Sequence, residues 1–232
     1  MSGNGIEAGC VKELLDSEGQ PYLPGNFNKV REMLEGLKPL YNATLKPAAL
    51  AFNKVGIHPN HITVAGVFLF IGAGYYAAID KWIVALWLVI AGGLFDGLDG
   101  VLARESGKKS VFGAILDSCC DRLTEIAVIA GVLFYYLSHD IHSYWGVILC
   151  FTAVSGSLMV SYVKARCEGM DVPCKSGILQ RPERIILLCA GLCFGPEIMF
   201  WILIGISVLS FFTSFQRLVE ASSYCKSNKK TV

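Results

Sequence analysis

Long apolar runs separated by short polar stretches dominate the chain from residue 58 onward. A helix needs about 20 residues to cross the hydrocarbon core of a bilayer, and six runs approach that length. They are Ile62–Ile79, Trp82–Ala103, Val111–Ser138, Tyr144–Val163, Ile185–Phe194 extended back through Arg184, and Ile198–Phe215. The fifth run is the shortest, because Gly195-Pro196 ends it. The pattern predicts an all-α fold in which six transmembrane helices form one bundle over residues 58–218.

Before the first run, residues 26–57 repeat apolar positions at helical spacing, with breaks at Pro39 and Pro47. This segment is predicted to form one or two amphipathic helices on the cytoplasmic surface of the membrane. A helix pair packed on the bundle fits the spacing equally well. Residues 1–25 lack periodicity and any signal-peptide pattern, so we expect a mobile N-terminal tail. Residues 219–232 are predicted to be a cytoplasmic C-terminal tail.

The basic residues lie almost entirely on one side of the predicted spans. If the N-terminus is cytoplasmic, every Lys and Arg except Lys81 and Arg122 falls in a cytoplasmic segment. Cytoplasmic loops of membrane proteins carry an excess of Lys and Arg. The distribution therefore predicts a multi-pass protein of the cell membrane with both termini in the cytoplasm and an even number of spans.

Composition supports a membrane protein and argues against other classes. Hydrophobic residues make up 53% and charged residues 17% of the chain, whereas soluble domains have about 25% charged residues. The formal net charge of +1 provides no basic surface for a nucleic-acid partner. The nine cysteines form no CxxC pair, so we predict reduced thiols rather than disulfides or a cysteine metal site.

Four aspartates interrupt the second and third apolar runs. Asp96 and Asp99 are three residues apart, so they share one helical face. Asp117 and Asp121 are four residues apart and share a face in the same way. A carboxylate at membrane depth costs about 2.5–3.5 kcal/mol on insertion scales. Four of them on consecutive helices therefore require a compensating positive charge.

Three explanations account for these acids. Arg104 and Arg122 would neutralise two of them in a structural ion-pair network at the helix ends. A divalent cation such as Mg²⁺ compensates several carboxylates at once and shares its ligands with substrate phosphates. An ion-coupled transporter also needs intramembrane carboxylates, but its site lies near the bilayer midplane between inverted repeats, and the hydropathy pattern has no such repeat. The clustering of the acids near one interface favours a metal site and phosphoryl chemistry.

The spacing around the four acids is similar to the signature of the CDP-alcohol phosphatidyltransferase family. In this chain the signature reads Asp96-x2-Asp99-Gly100-x2-Ala103-Arg104-x8-Gly113-x3-Asp117-x3-Asp121. The resemblance extends from about Leu40 to Leu218. It implies a six-span enzyme, expected to be a homodimer, that transfers a phosphatidyl or archaetidyl group from a CDP-activated lipid to an alcohol and releases CMP.

The resemblance also implies roles for individual residues. Asp96, Asp99 and Asp117 would bind two metal ions, Mg²⁺ or alternatively Mn²⁺. Asp121 would contribute as a further ligand and act as the catalytic base. The residues implied in CDP-lipid binding are Gly100, Arg104, Ser110, His58, Pro59, Asn60 and His61. The two histidines fit the alternative of plain interfacial residues equally well.

A second basic segment bears on the acceptor alcohol. The strings Ser-Tyr-Val-Lys-Ala-Arg at 161–166 and Arg-Pro-Glu-Arg at 181–184 resemble the family branch that makes phosphatidylinositol phosphate or archaetidylinositol phosphate. That branch uses inositol 1-phosphate, and clustered Lys and Arg suit a phosphate monoester. The residues predicted to bind this phosphate are Lys164, Arg166, Arg181 and Arg184. A phosphatidylglycerophosphate-type synthase, which uses glycerol 3-phosphate, is the alternative.

Overall fold

The computed structural model describes residues 36, 41, 43–139, 143–174 and 176–228. Within them every regular element is an α-helix, as the apolar pattern predicts. The helices are α1 (43–54), α2 (Pro59–Ala78), α3 (Trp82–Glu105), α4 (Val111–Ser138), α5 (Ser143–Glu168), α6 (Arg181–Phe194) and α7 (Pro196–Asn228). The predicted tail over residues 1–25 and most of the predicted amphipathic segment before residue 43 lie outside the described residues.

Four of the described helices, α2, α3, α5 and α7, are long and apolar enough to cross a membrane. By this measure the protein is a multi-pass membrane protein, with fewer such helices than the six predicted spans. Helix α4 is long enough at 28 residues, but its part from Val111 to Glu125 carries the charged residues Asp117, Asp121, Arg122 and Glu125. Helix α6 has only 14 residues. Its length is about 21 Å, against about 30 Å of hydrocarbon.

Local sequence sets the beginnings of two helices that carry predicted site residues. Pro59 begins α2, and the side chain of His58 caps that helix by accepting a hydrogen bond from the Asn60 amide at 3.4 Å. The Ser110 hydroxyl caps α4 by accepting from the Gly113 amide at 2.9 Å. Both caps satisfy amides that have no partner inside the helix, so they fix where each helix starts.

Helix α7 extends further than its apolar run. The run ends near residue 215, yet the helix continues to Asn228, so the described part of the predicted tail at 219–232 is helical. Contacts with the loop before α6 support this extension. The carboxylate of Glu220 accepts hydrogen bonds from the Ser176 amide at 3.1 Å and from its hydroxyl at 2.5 Å. Hydropathy could not reveal the extension, because these contacts are polar.

Helix α2 lies between α3 and α4, α5 packs on α4 and α7, and α6 contacts both α7 and α3. The contact between α2 and α4 is a close backbone approach. A Cβ atom on Gly74 would overlap the carbonyl oxygen of Ala127, and a Cβ atom on Gly131 would overlap that of Gly74. This packing brings the C-terminal half of α3, the N-terminal half of α4 and the start of α6 together, where their charged residues make contact.

Helix α1 docks on the C-terminal end of α3. Its buried residue Ala49 and the partly buried Leu45 and Phe52 form a small core with residues of α2 and α3. Lys46 Nζ lies 2.9 Å from Glu105 Oε1 at the end of α3. In the described part of the predicted amphipathic segment, the structure therefore contains a helix packed on the bundle.

Candidate active site

Three of the four predicted aspartates meet where α3, α4 and α6 come together. One carboxylate oxygen each from Asp96 on α3 and from Asp117 and Asp121 on α4 lie within 4.8 Å of one another. The two residues on α4 are one helical turn apart, so both face the same side. We call these three residues the carboxylate cluster.

Asp99 stands beside the carboxylate cluster rather than in it. It is 6% exposed, and its Oδ2 atom accepts a hydrogen bond from the hydroxyl of Thr63 on α2. The Thr63 hydroxyl also lies 3.3 Å from the Pro59 carbonyl oxygen. The family resemblance implies the same ligand role for Asp99 as for Asp96. In the structure Asp99 has a partner of its own on α2, whereas Asp96 faces the two aspartates of α4.

Arg181 is in direct contact with the carboxylate cluster. Its Nη1 atom donates to Asp96 Oδ2 at 3.1 Å and its Nη2 atom donates to Asp96 Oδ1 at 3.2 Å. The same Nη1 atom lies 2.7 Å from Asp121 Oδ1. Arg181 is the first residue of α6. The loop before that helix therefore determines the position of the guanidinium beside the acids on α3 and α4.

The carboxylate cluster fits a divalent cation. Three carboxylates against one guanidinium leave two formal negative charges. Among the described residues Asp121 Oδ1 is buried without a hydrogen-bond partner, since its contact with Arg181 lacks hydrogen-bonding geometry. The ion pair with Arg181 compensates part of this charge, and a bound cation would compensate the negative charge that remains. Mg²⁺ and Mn²⁺ prefer carboxylate oxygens, so the donor set suits either ion.

A cavity of about 250 Å³ opens beside Asp99 and Asp117. It gathers five of the seven residues predicted for CDP-lipid binding: Pro59, Asn60, Gly100, Arg104 and Ser110. Lys108 and Lys109, which sequence reasoning did not assign to a site, line it as well. We call it the signature cavity, because most of its lining comes from the Asp96–Asp121 string. Its basic residues and its carboxylates face the same space, as binding of a pyrophosphate through a metal requires.

The two predicted histidines are not part of the signature cavity lining. The Nδ1 atom of His58 accepts the capping bond from Asn60, and His61 is exposed with its ring centroid 6.2 Å from that of His58. The structure gives His58 a capping role and gives neither imidazole a contact with this cavity. Of the two glycines in the signature, Gly113 is explained by its contact with the helix cap. A Cβ atom on Gly113 would lie 3.0 Å from the capping oxygen of Ser110.

A second cavity, of about 290 Å³, opens beside Asp121. Its basic lining residues are Arg122, Lys164, Arg181, Arg184 and Arg217. Three of these, at positions 164, 181 and 184, belong to the predicted acceptor set. The fourth member of that set, Arg166, is exposed on α5 and is not part of the lining. We call this space the basic cavity. The carboxylate cluster thus contributes Asp117 to one cavity and Asp121 to the other.

The predicted phosphate ligand Arg184 is already paired inside the protein. It is 2% exposed, and its Nε and Nη2 atoms donate to the two carboxylate oxygens of Glu125 at 2.7 and 2.9 Å. Its Nη1 atom lies 3.3 Å from the Leu179 carbonyl oxygen. Arg184 lines the basic cavity as predicted for a phosphate-binding residue, but three of its N–H groups are bonded to internal partners. The sequence could not show the pairing, since Glu125 is 59 residues away.

Arg217 on α7 anchors the loop between α5 and α6. Its Nε atom donates to the Ser176 carbonyl at 2.9 Å and its Nη1 atom to the Val160 carbonyl at 2.6 Å. Thr213, one turn earlier, accepts a hydrogen bond from the Leu179 amide at 3.2 Å. These bonds fix the loop from which the first residue of α6 reaches the carboxylate cluster.

Tyr41 lies beside the acids of α3. Its hydroxyl donates to the Gly93 carbonyl at 3.1 Å, and its ring occupies the space beside Gly97, where any Cβ atom would overlap it. Burial, followed by the negative charges of Asp96 and Asp99, raises the pKa of its phenol. Gly97 therefore makes room for a tyrosine side chain.

Comparison with protein-family models decides the classification. The CDP-alcohol phosphatidyltransferase model matches residues 56–213, which is more than half of the chain. The chain belongs to the CDP-alcohol phosphatidyltransferase family. The match contains the carboxylate cluster and most of the lining of both cavities, so the resemblance of the signature is confirmed. Membership identifies an enzyme rather than an ion-coupled transporter.

Named relatives within the family are similar along most of this chain. An archaetidylinositol phosphate synthase of Methanothermobacter thermautotrophicus is 31% identical over 81% of this chain and 93% of the relative. The synthase of the same name from Pyrococcus horikoshii is 33% identical over 82% of this chain and 96% of the relative. A phosphatidylinositol phosphate synthase of Mycobacterium marinum is 34% identical over 62% of both chains. These relatives belong to the branch that the basic strings resemble.

Two solved structures of the phosphatidylinositol phosphate synthase of Mycobacterium tuberculosis share the fold. The structure with CDP-DAG bound matches with a TM-score of 0.72 and 30% identity, over 76% of this chain and 92% of the other. The complex with manganese and citrate matches with a TM-score of 0.72 and 29% identity, over 77% and 89% of the two chains. A protein similar to this family member therefore binds a CDP-lipid and a divalent metal.

Several site residues of this phosphatidyltransferase family member escaped sequence reasoning. Thr63 is a polar residue inside an apolar run, and Arg217 is a basic residue at the end of another. A single polar residue in an apolar run was the only feature that could have marked Thr63 and Arg217 as site residues. Lys108 and Lys109 lie in a short basic loop, which by itself indicates only the cytoplasmic side of the membrane. Tyr41 gave no signal, because its partners lie more than 50 residues away in α3.

Proposed function

We propose that this protein transfers the lipid phosphate group of a CDP-activated lipid to inositol 1-phosphate and releases CMP. One observation carries the proposal: the carboxylate cluster lies between a cavity lined by the family signature and a cavity lined by five basic residues. The synthases of inositol-containing phospholipids among the relatives support this acceptor. The lipid donor is a phosphatidyl or an archaetidyl compound.

The signature cavity is the proposed binding site of the CDP group. Arg104, Lys108 and Lys109 offer charge-assisted hydrogen bonds to a pyrophosphate, and Gly100 leaves room for close approach. Asp96, Asp99, Asp117 and Asp121 are the proposed ligands of two divalent ions. When bound there, Mg²⁺ neutralises the pyrophosphate and the charge that develops on the leaving CMP.

Asp121 is the proposed general base. It lines the basic cavity, and its Oδ1 atom has no hydrogen-bond partner among the described residues. In the reaction, a hydroxyl oxygen of the acceptor bonds to the lipid-side phosphorus of the CDP-lipid. The bond from that phosphorus to the bridging oxygen breaks, and CMP leaves with the bridging oxygen. The proton of the hydroxyl passes to Asp121.

The basic cavity is the proposed binding site of the acceptor phosphate. Lys164 and Arg181 are the residues proposed to contact it. Arg217, which is bonded to neutral carbonyl oxygens, adds positive charge, whereas the charge of Arg184 is balanced by Glu125. A phosphate dianion requires such a concentration of positive charge. A free alcohol does not require it. The cavity therefore favours a phosphorylated acceptor over free inositol or serine.

The membrane arrangement is also part of the proposal. Helices α4 and α6 complete six membrane segments, which the exposed apolar residues Phe134 and Leu137 on α4 and Ile186 on α6 support. Both termini lie in the cytoplasm, α1 lies at the membrane surface, and the enzyme is a homodimer in the cell membrane. The concentration of basic residues around the two cavities supports a cytoplasmic active site.

A panel of acceptors tests the proposed reaction. Purified protein in nanodiscs would receive CDP-lipid with inositol 1-phosphate, glycerol 3-phosphate, serine or free inositol, and CMP release would be measured. We expect turnover with inositol 1-phosphate only, and none after chelation of divalent metal. Preferred use of glycerol 3-phosphate would assign the protein to the phosphatidylglycerophosphate synthases. Equal use of free inositol would contradict a phosphate-binding role for the basic cavity.

A further inference from the structure

Arg181 belongs to two sites at once. Its guanidinium uses Nη1 and Nη2 to contact both oxygens of Asp96, and Nη1 also contacts Asp121. The same side chain lines the basic cavity. Its Nε atom is buried and has no hydrogen-bond partner among the described residues. Arg181 therefore has one donor to spare, although its other contacts are with the carboxylate cluster.

A divalent cation and this guanidinium compete for the same oxygens. A metal ligand oxygen lies about 2.0–2.6 Å from its ion, and Arg181 nitrogens lie 3.1 and 3.2 Å from the two oxygens of Asp96. A cation on Asp96 would stand within a few ångströms of the guanidinium, where like charges repel. For Asp96 to become a metal ligand, Arg181 has to leave it.

The basic cavity offers the displaced side chain a second partner. Arg184 is bonded to Glu125, and Arg217 is bonded to two carbonyl oxygens, so these two residues are fixed by the fold. Arg181 is different, because its partners are the proposed metal ligands themselves. Once those carboxylates hold a cation, the guanidinium can be paired again by an anion that enters the cavity.

We infer that Arg181 is an exchangeable counter-ion: it neutralises the carboxylate cluster before a divalent cation binds, and cation binding releases it to the phosphate of the acceptor. This inference rests on the proposed function, in which the basic cavity receives a phosphate monoester. It makes metal and acceptor binding mutually favourable. Coupling of this kind is reciprocal, and its usual size is about 5- to 150-fold in affinity.

The first test measures Mn²⁺ binding in the absence of any substrate, by the loss of the electron paramagnetic resonance signal of free Mn²⁺. Arg181→Gln should bind Mn²⁺ about tenfold more tightly than the unsubstituted protein, because the competing cation is gone. Lys164→Gln is the matched control. It removes one positive charge from the same cavity, but Lys164 pairs with Glu168 at 3.7 Å rather than with the carboxylate cluster. Equal Mn²⁺ affinities in the two variants would overturn the inference.

The second test measures binding of inorganic phosphate and of inositol 1-phosphate to metal-free protein by calorimetry. Asp96→Asn frees Arg181 from its main partner and should tighten phosphate binding about tenfold. Asp99→Asn is the matched control: it removes the same charge one turn away, where Thr63 rather than Arg181 is the partner. This variant should leave the phosphate affinity little changed. If phosphate bound equally more tightly to both variants, the cause would be the loss of one negative charge rather than the release of Arg181, and the exchange would be contradicted. Asp121→Asn, which removes the other contact of Arg181, provides a second variant if Asp96→Asn does not fold.

These measurements separate the exchange from the identity of the acceptor. The Mn²⁺ titration needs no acceptor at all. If Asp96→Asn tightens inorganic phosphate binding but inositol 1-phosphate does not bind, the proposed acceptor is wrong and the exchange stands. If inositol 1-phosphate binds with an affinity that Mn²⁺ does not change, the proposed function stands and the exchange is wrong.

Discussion

The signature cavity and the basic cavity share the carboxylate cluster but are built in opposite ways. Most of the signature cavity comes from one stretch of chain, from Asp99 to Asp117, completed by the start of α2. The basic cavity collects residues from four helices, from Ser118 on α4 to Arg217 on α7. The signature cavity is therefore formed mainly by residues close together in the sequence. The basic cavity forms only when the four helices pack together.

The two cavities also differ in how their charges are held. In the basic cavity Arg184 is paired with Glu125, and Arg217 is bonded to backbone carbonyls. Burying a charge is costly unless it is paired and hydrogen-bonded. The internal partners therefore allow several cations to surround one small space before any anion arrives. The difference suggests that the signature cavity is specified by motif residues, and the basic cavity by tertiary ion pairs.

The largest effect on turnover is expected at Asp121, the member of the carboxylate cluster that lines the basic cavity. Asp121→Asn should lower kcat by about 10²- to 10⁴-fold, the usual contribution of a general base, and leave CDP-lipid binding nearly unchanged. Single-turnover kinetics and separate binding measurements would check this. Asp171→Asn, an exposed site with φ 55°, is the matched control. Loss of binding equal to the loss of turnover would make Asp121 mainly a metal ligand.

The internal ion pair should matter more for stability than a surface pair. Glu125→Gln leaves the buried Arg184 without its charged partner and should lower the free energy of unfolding by about 3–5 kcal/mol. Glu105→Gln, which breaks the more exposed pair with Lys46, should cost about 0–1 kcal/mol. Denaturation in detergent, followed by circular dichroism, would compare them. Similar costs for both would show that the basic cavity does not depend on internal pairing.

Substitutions on the two sides should affect different substrates. Lys164→Ala should raise the KM for inositol 1-phosphate by about tenfold and leave the KM for CDP-lipid unchanged, because a charge-assisted hydrogen bond is lost on one side only. Arg104→Ala should do the reverse. Initial-rate kinetics with each substrate varied in turn would measure this. Equal changes in both KM values for either variant would contradict the division into two cavities.

The smallest effect is expected at the tyrosine beside α3. Tyr41→Phe keeps the ring against Gly97 and removes one hydrogen bond to the Gly93 carbonyl, which should cost about 0.5–1.5 kcal/mol. Thermal unfolding would measure this cost. Gly97→Ala should cost more, because its Cβ atom would overlap the tyrosine ring. A larger effect from Tyr41→Phe than from Gly97→Ala would show that the hydroxyl, not the fit of the ring, is what matters there.

The helical class, the positions of the apolar helices and the shared face of Asp117 and Asp121 could be predicted because each depends on spacing within one helix. The predicted third span, Val111–Ser138, is helix α4 residue for residue. Lining residues of the signature cavity were predictable for the same reason. Arg104 and Ser110 lie within the string that carries the resemblance.

The remaining features depend on contacts between distant segments. Arg181 on Asp96 joins residues 85 positions apart, and Thr63 on Asp99 joins residues 36 positions apart. A pattern within one helix cannot reveal contacts between residues so far apart in the sequence. For the same reason the sequence shows neither the bond of Arg184 to Glu125 nor the separate partner of Asp99, because both depend on residues far away along the chain.

The proposed reaction depends most on a metal centre at the carboxylate cluster between the two cavities. Anomalous diffraction from crystals grown with Mn²⁺ and CDP-lipid would locate the ions directly. We expect Mn²⁺ peaks bonded to carboxylate oxygens of Asp96, Asp99, Asp117 and Asp121, with the pyrophosphate on the side of Arg104. Peaks elsewhere, or a CDP-lipid bound with Arg181 still paired to both oxygens of Asp96 and no metal on that residue, would contradict it.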